Sequence, residues 1–109
     1  MKVKKMAFFE DVYDLVKQIP KGKVTTYGHI ARMIGQPRKS KIVGWALHSN
    51  PQPGIIPCHR VVNRKGELSG SFAFGGIEVQ KKLLEEEGII FDVSGIINLQ
   101  EYLWKPDSQ

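Results

Sequence analysis

The chain has a single cysteine, Cys58, which excludes an intramolecular disulfide framework. Only His29, His48 and His59 accompany it, without any zinc-ligand spacing, so no metal site is expected. Long apolar runs are missing too: none approaches the roughly 20 residues a membrane-spanning helix needs. The basic start from Met1 to Met6 leads into Glu10, Asp11 and Asp14 rather than the apolar core of a secretory signal. The expectation is a cytoplasmic protein with no membrane association, nucleoid-associated in a prokaryote. No Ser/Gly linker, low-complexity tract or internal repeat interrupts the 109 residues, a length that suits one domain spanning 1–109.

Acidic side chains are absent from one long stretch. Residues 21–65 contain no Asp or Glu but hold Lys21, Lys23, Arg32, Arg38, Lys39, Lys41, Arg60, Arg64 and Lys65. The overall charge of +5 understates this asymmetry, because the two ends together are acidic. An ordinary solvated face mixes both signs, whereas total exclusion of acids suits a surface that binds a polyanion.

Phe8, Val12, Leu15, Val16 and Ile19 recur at helical spacing and stop before Pro20, which predicts a first helix. Thr25 or Thr26 can cap a second helix running through Ile30, Ala31 and Ile34 to Gly35. Gln36-Pro37-Arg38 then breaks the chain, and Ser40 can cap a third helix with Val43, Ala46 and Leu47 on one face, ending near Asn50-Pro51. Two short helices across a tight turn make a helix-turn-helix pattern, weak alone but placed inside the acid-free stretch. Val61-Val62, the turn Asn63-Arg64-Lys65-Gly66 and Leu68 read as a small β-hairpin. A further helix containing Leu83 and Leu84 stops at Gly88, and Ile89 to Trp104 closes the core. The fold expected is mostly α with a small β-hairpin, a winged-helix-like helix-turn-helix domain.

A lone cysteine is usually a small buried hydrophobe. Here Pro57 precedes Cys58 and His59-Arg60 follows, placing a base and a cation nearby, surroundings that lower a thiol pKa and favour the nucleophilic thiolate. If the segment is extended, Cys58 and His59 point to opposite sides, so His59 acts through a bend or a bridging water. A Cys-His hydrolase and a redox thiol stay open on these residues alone.

Pro57-Cys58-His59-Arg60-Val61-Val62, with Asn50-Pro51 and Thr25-Thr26-Tyr27-Gly28 upstream, resembles the C-terminal domain of the O6-alkylguanine-DNA alkyltransferases, over about Phe8 to Gly88. The resemblance implies that Cys58 takes the alkyl group from guanine O6 by in-line displacement, once per molecule and without a cofactor: a methylated-DNA-protein-cysteine S-methyltransferase. His59 matches the water-linked base for Cys58, Glu87 the carboxylate that orients the histidine, and Asn50 the asparagine that shapes the site. The target atom lies within a duplex, so the nucleotide must be rotated out of the stack. Tyr27 matches the tyrosine that promotes this and donates a proton to the base. Lys41 stands where the family usually has an arginine filling the vacated space. Gln36, Lys39, Ser40 and Arg64 match phosphate contacts, and the Val61 carbonyl matches a contact to the base edge. Double-stranded DNA containing O6-alkylguanine is the partner implied, bound by a monomer.

Several positions depart from the family pattern. Lysine offers a compact hydrated charge where arginine offers a planar group that stacks, so Lys41 weakens the expected support for extrusion. Lys39 and Ile42 flank Ser40 and Lys41 on a helix that in the family enters the minor groove with small residues. The loop from Ser69 to Gly76 is about two residues longer than the family pattern and lacks the tyrosine that walls the alkyl pocket. The family's N-terminal domain has no counterpart in these 109 residues. Their size and the ending Tyr102-Leu103-Trp104-Lys105-Pro106 resemble the alkyltransferase-like branch, which typically replaces the cysteine with tryptophan, binds the lesion without repairing it and flags it for excision-repair proteins. Cys58 is retained. Alkyl transfer, lesion sensing and plain helix-turn-helix DNA binding are therefore the three readings.

Overall fold

In the computed structural model residues 2–68 and 75–106 are described, with side chains from residue 7 onward. The order is α1 (Lys2–Lys17), β1 (Thr25–Thr26), α2 (Tyr27–Ile34), α3 (Ser40–His48), β2 (Val61–Val62), α4 (Gly76–Glu86) and α5 (Leu99–Tyr102), with 3₁₀ turns at Pro37–Lys39 and Cys58–Arg60. No helix among the described residues is long and apolar enough to cross a membrane. Of the expected loop from Ser69 to Gly76, residues 69–74 lie outside the described residues, and Gly76 is already the first residue of α4.

Helix α1 buries Phe8, Val12 and Val16, one residue per turn, and Ile19 continues the stripe just beyond its end. Thr26, rather than Thr25, caps α2: its hydroxyl accepts the His29 backbone NH at 3.1 Å, a bond of the kind that stabilises a helix by about 1 kcal/mol. Gly35 ends α2 in the left-handed conformation at φ 89°, donating to the carbonyls of Ala31 and Arg32. Ser40 is not the cap expected for α3. Lys39 holds that position without a side-chain bond, and Ser40 is already helical at φ −59° and ψ −35°. The 3₁₀ turn begun by Pro37 delivers the chain already coiled, which moves the junction one residue upstream.

The three helices enclose one core, in which Ile30, Ala31, Val43, Ala46 and Leu47 meet the α1 stripe, and Ile56, Cys58, Val61 and Trp104 close it. A smaller cluster of Val24, Val62, Leu84, Ile89 and Ile97 lies under α4 and the tail. The sheet among the described residues has two strands, and the partner of β2 in it is β1, a pairing the sequence did not indicate. Strand β2 pairs in parallel with β1, Thr25 opposite Val61 and Thr26 opposite Val62. The turn after β2 forms as expected, with Asn63 Oδ1 accepting the NH groups of Lys65 and Glu67. The chain reverses through it, the Asn63 NH donating to the Glu67 carbonyl at 3.0 Å, and the Gly66 carbonyl accepts the Ile97 NH at 2.9 Å, which ties the turn to the tail.

Gly66 is required twice over. Its φ is 81°, and a Cβ added there would run into the carbonyl oxygen of Ile97. Gly66→Ala therefore combines left-handed strain with a backbone clash and is expected to cost about 2–3 kcal/mol, lowering Tm by roughly 10–20 °C. Gly35→Ala, at φ 89° with nothing within 4 Å of the added carbon, carries the strain alone and should cost about 1 kcal/mol. Thermal denaturation of the two variants checks this; equal melting temperatures would remove the Gly66–Ile97 tie as a stabilising contact.

Candidate active site

Cys58 opens the 3₁₀ turn Cys58–Arg60 at the point where the chain leaves the helical core for β2. Pro57, at φ −79° and ψ 67°, forms the centre of an inverse γ-turn in which the Cys58 NH donates to the Ile56 carbonyl at 2.8 Å. The segment is thus bent rather than extended. Successive side chains fan out at three residues per turn, so Cys58 and His59 do not face opposite ways. Cys58 points inward and is 4% exposed.

Asn50, itself buried just after α3, supplies the contact to the sulfur. Its Nδ2 donates to the Ile56 carbonyl at 2.9 Å and to Cys58 Sγ at 3.3 Å, while its Oδ1 accepts the Gln52 NH at 2.8 Å. One amide thus holds the turn after α3 through its oxygen and meets the sulfur through its nitrogen.

His59 and Glu87, 28 positions apart, meet with His59 Nε2 donating to Glu87 Oε2 at 2.7 Å. The carboxylate also receives Arg60, whose Nε lies 3.0 and 3.1 Å from its two oxygens and whose Nη2 lies 2.8 Å from Oε2. The Gly22 NH adds a bond at 3.3 Å, and Arg60 Nη1 reaches the Ile19 carbonyl at 2.8 Å. Burial pushes the Glu87 carboxyl up, but the bonds from Arg60, His59 and Gly22 together outweigh it and hold the group below the usual carboxylate range. An ionised Glu87 fixes the histidine tautomer: Nε2 carries the proton facing the carboxylate, and Nδ1 is the basic nitrogen of the neutral ring.

The thiol departs from the sequence expectation. Burial pushes its pKa up, and the hydrogen bonds from Asn50 and the backbone reverse only part of that. Arg60 is held by Glu87 and Ile19 instead of serving the sulfur. The protonated thiol is therefore the resting form, and activation calls for a base rather than a standing thiolate. Tyr13 is shifted as well: burial first, and then the charge Cys58 carries when ionised, raise its pKa, while its hydroxyl donates to the Ala46 carbonyl at 2.8 Å and ties α1 to α3.

A pH profile of iodoacetamide alkylation should accordingly show a midpoint above the roughly 8.5 of free cysteine. Asn50→Ala, which removes a bond that lowers the thiol pKa, should move it higher still. The sign for stability follows: the folded chain keeps its thiol proton longer than the unfolded one, so this group's contribution is present below about pH 8.5 and declines as pH rises through the folded value. A midpoint below that of free cysteine would show that the polar contacts win over burial.

The remaining candidates divide by position. Tyr27 is the first residue of α2, half-buried against the core. Gln36, Lys39, Ser40 and Lys41 follow one another along the connector and the first turn of α3; Gln36 and Lys41 are exposed, and Lys39 lies 5.3 Å over the Phe8 ring. Arg64 is exposed on the separate turn after β2. Val61 buries its side chain in the core, and its carbonyl accepts Gln80 Nε2 at 3.2 Å. Sequence reasoning missed Gln80, which also bonds the His59 carbonyl at 3.0 Å and so fastens both ends of the signature turn to α4. The available signal was spacing: Gln80, Leu84 and Glu87 fall at i, i+4 and i+7 on the inward face.

A helix-turn-helix domain with a buried cysteine in its core, flanked by an asparagine and a glutamate-bound histidine, is the class of protein these elements define. The family described as 6-O-methylguanine DNA methyltransferase, DNA binding domain, matches residues 7–89, and the chain belongs to it. It is 43% identical over 104 residues to alkyltransferase-like protein 1 of Schizosaccharomyces pombe, covering 91% of this chain and 95% of that one. It is 42% identical over 81 residues to the methylated-DNA–protein-cysteine methyltransferase of Methanosarcina acetivorans, covering 74% of this chain but only 51% of that protein. Among solved structures, S. pombe Atl1 in complex with damaged DNA containing O6-carboxymethylguanine superposes with a TM-score of 0.79 at 42% identity, over 93% of this chain and 97% of that one.

Proposed function

We propose that the protein repairs O6-alkylated guanine in double-stranded DNA by moving the alkyl group onto Cys58. The observation that carries this reading is the placement of Cys58 Sγ against Asn50, next in sequence to a histidine held by an ionised glutamate. In the proposed reaction the lesion nucleotide is rotated out of the duplex, at a cost of roughly a few kcal/mol that a mispaired lesion partly offsets. His59 takes the thiol proton through a water, and Glu87 stabilises the imidazolium that results. The sulfur then attacks the alkyl carbon in line. One S–C bond forms, the C–O6 bond breaks with its electron pair going to guanine, and Tyr27 returns a proton to the base. A thioether remains and the protein is spent after one turnover. Lys41 occupies the space the nucleotide leaves, and Gln36, Lys39, Ser40 and Arg64 contact phosphates.

The test is direct. The protein is incubated with a duplex carrying O6-methylguanine, then its intact mass and the Cys58 peptide are measured. One added methyl, confined to Cys58 and approaching one per molecule, is the expected result; tight lesion-selective binding with no mass change would sink transfer.

That second outcome is the lesion-sensor reading, which two features favour: the burial of Cys58, which pushes its thiol pKa up, and the alignment of nearly the whole chain with an alkyltransferase-like protein. In it the bound lesion is presented to excision-repair proteins.

A further inference from the structure

Helix α3 buries Val43, Ala46 and Leu47, yet its opposite face carries Trp45 at 54% exposure. A large aromatic in water is uncommon enough to call for a partner. Its surroundings are specific. Lys41 lies one turn earlier on the same face, with its ammonium 6.0 Å from the centre of the indole ring, at the outer reach of a cation–π contact. Gly44, between them on that face, has no side chain, and His48 stands exposed one turn further on. Trp45 also sits within the 21–65 stretch that holds no acidic residue. An aromatic face set among cations is the combination that stacks on nucleic-acid bases while the charges meet phosphates.

Resting on the reading of this helix as the one that enters lesion-bearing DNA, we infer that Lys41 and Trp45 act as a composite wedge. The indole stacks against bases bordering the space the rotated nucleotide leaves, and the lysine ammonium lies against its face. Trp45 thereby supplies the planar surface that Lys41 lacks and that an arginine would carry by itself. It is a positioning residue: it holds the opened duplex and takes no part in the transfer at Cys58.

The chain has two tryptophans, and Trp104 is 9% exposed in the core, so a Trp104→Phe chain reports on Trp45 alone. Titrated with an O6-methylguanine duplex, Trp45 emission should fall sharply, and acrylamide should lose access to the ring. Trp45→Ala should weaken binding to that duplex about five- to a hundredfold, the loss of one stacked base, whereas Trp45→Phe should stay within about fivefold. Lys41→Arg in the Trp45→Ala background should recover most of the loss; no recovery would place Trp45 away from the vacated space and overturn the composite wedge. Unchanged Trp45 emission at saturating DNA would overturn it outright. If Trp45→Ala melts early, the emission of the intact ring decides alone. Equal binding of the Trp104→Phe chain to lesion and plain duplexes would strike the lesion reading instead, and there quenching still reports whether the ring enters the stack.

Discussion

Cys58→Ser is expected to abolish alkyl transfer completely while leaving affinity for an O6-methylguanine duplex within a few-fold of the unsubstituted chain. The sulfur is the only thiol in the molecule. A serine hydroxyl in its place is a far weaker acid than the thiol, and its oxygen is a much poorer nucleophile toward an alkyl carbon. The substitution is tolerable because Asn50 Nδ2, now 3.3 Å from Sγ, can donate to a serine oxygen, so the buried hydroxyl keeps a partner. Cys58→Ala is the companion variant, apolar but leaving Asn50 with one acceptor fewer. The residues proposed to hold DNA stand on α2, on the connector that follows it, on α3 and on the turn after β2, elements other than the turn that carries Cys58, which is why binding should outlast chemistry. Intact mass measures transfer, and fluorescence anisotropy measures affinity. An alkyl group that reaches His59 or another side chain in Cys58→Ser would remove Cys58 as the proposed acceptor.

The helix-turn-helix was legible because its determinants are local. Thr26, the Ile30, Ala31 and Ile34 spacing, and Gly35 each act within a few residues of themselves. The parallel pairing of β2 with β1 was not legible, because its determinant is distant. Val61-Val62 has the composition of a strand, but its partner in the sheet is the distant Thr25-Thr26, and the turn that follows it is tied to Ile97 through the Gly66 carbonyl. Two-residue strands carry too little alternation to declare either.

The candidate site divides along the same line. The residue types that form it could be read from Pro57-Cys58-His59-Arg60, and Glu87 from its resemblance. The direction of the thiol shift could not, since it depends on how deeply the core closes over Cys58. Arg60 is the clearest case. In sequence it is a cation two positions from a thiol; in the fold its guanidinium is turned onto a carboxylate 27 positions away. A neighbour in sequence became the neighbour of a different group.

Glu87→Gln should slow transfer by about 10²–10⁴-fold at saturating DNA, the range in which a positioned base contributes. Both carboxylate oxygens are occupied by donors: Oε1 accepts Gly22 NH and Arg60 Nε, and Oε2 accepts His59 Nε2 with Arg60 Nε and Nη2. An amide turned either way sets its NH₂ against donors, so His59 loses its anchor and the imidazolium its counter-charge. Arg60 is left partly buried without an anion, at a cost of about 1–3 kcal/mol. The pH dependence separates this from a general weakening. Because Glu87 is held below the usual carboxylate range, the unfolded chain binds the proton first as pH falls, and its stabilising contribution is present above about pH 4.3 and lost as pH drops through the lower folded value. The Tm gap between the unsubstituted chain and Glu87→Gln should therefore be constant near neutrality and close in acid. A gap that persists undiminished at low pH, or a transfer rate unchanged at neutral pH, would show that the carboxylate only fills space beneath His59.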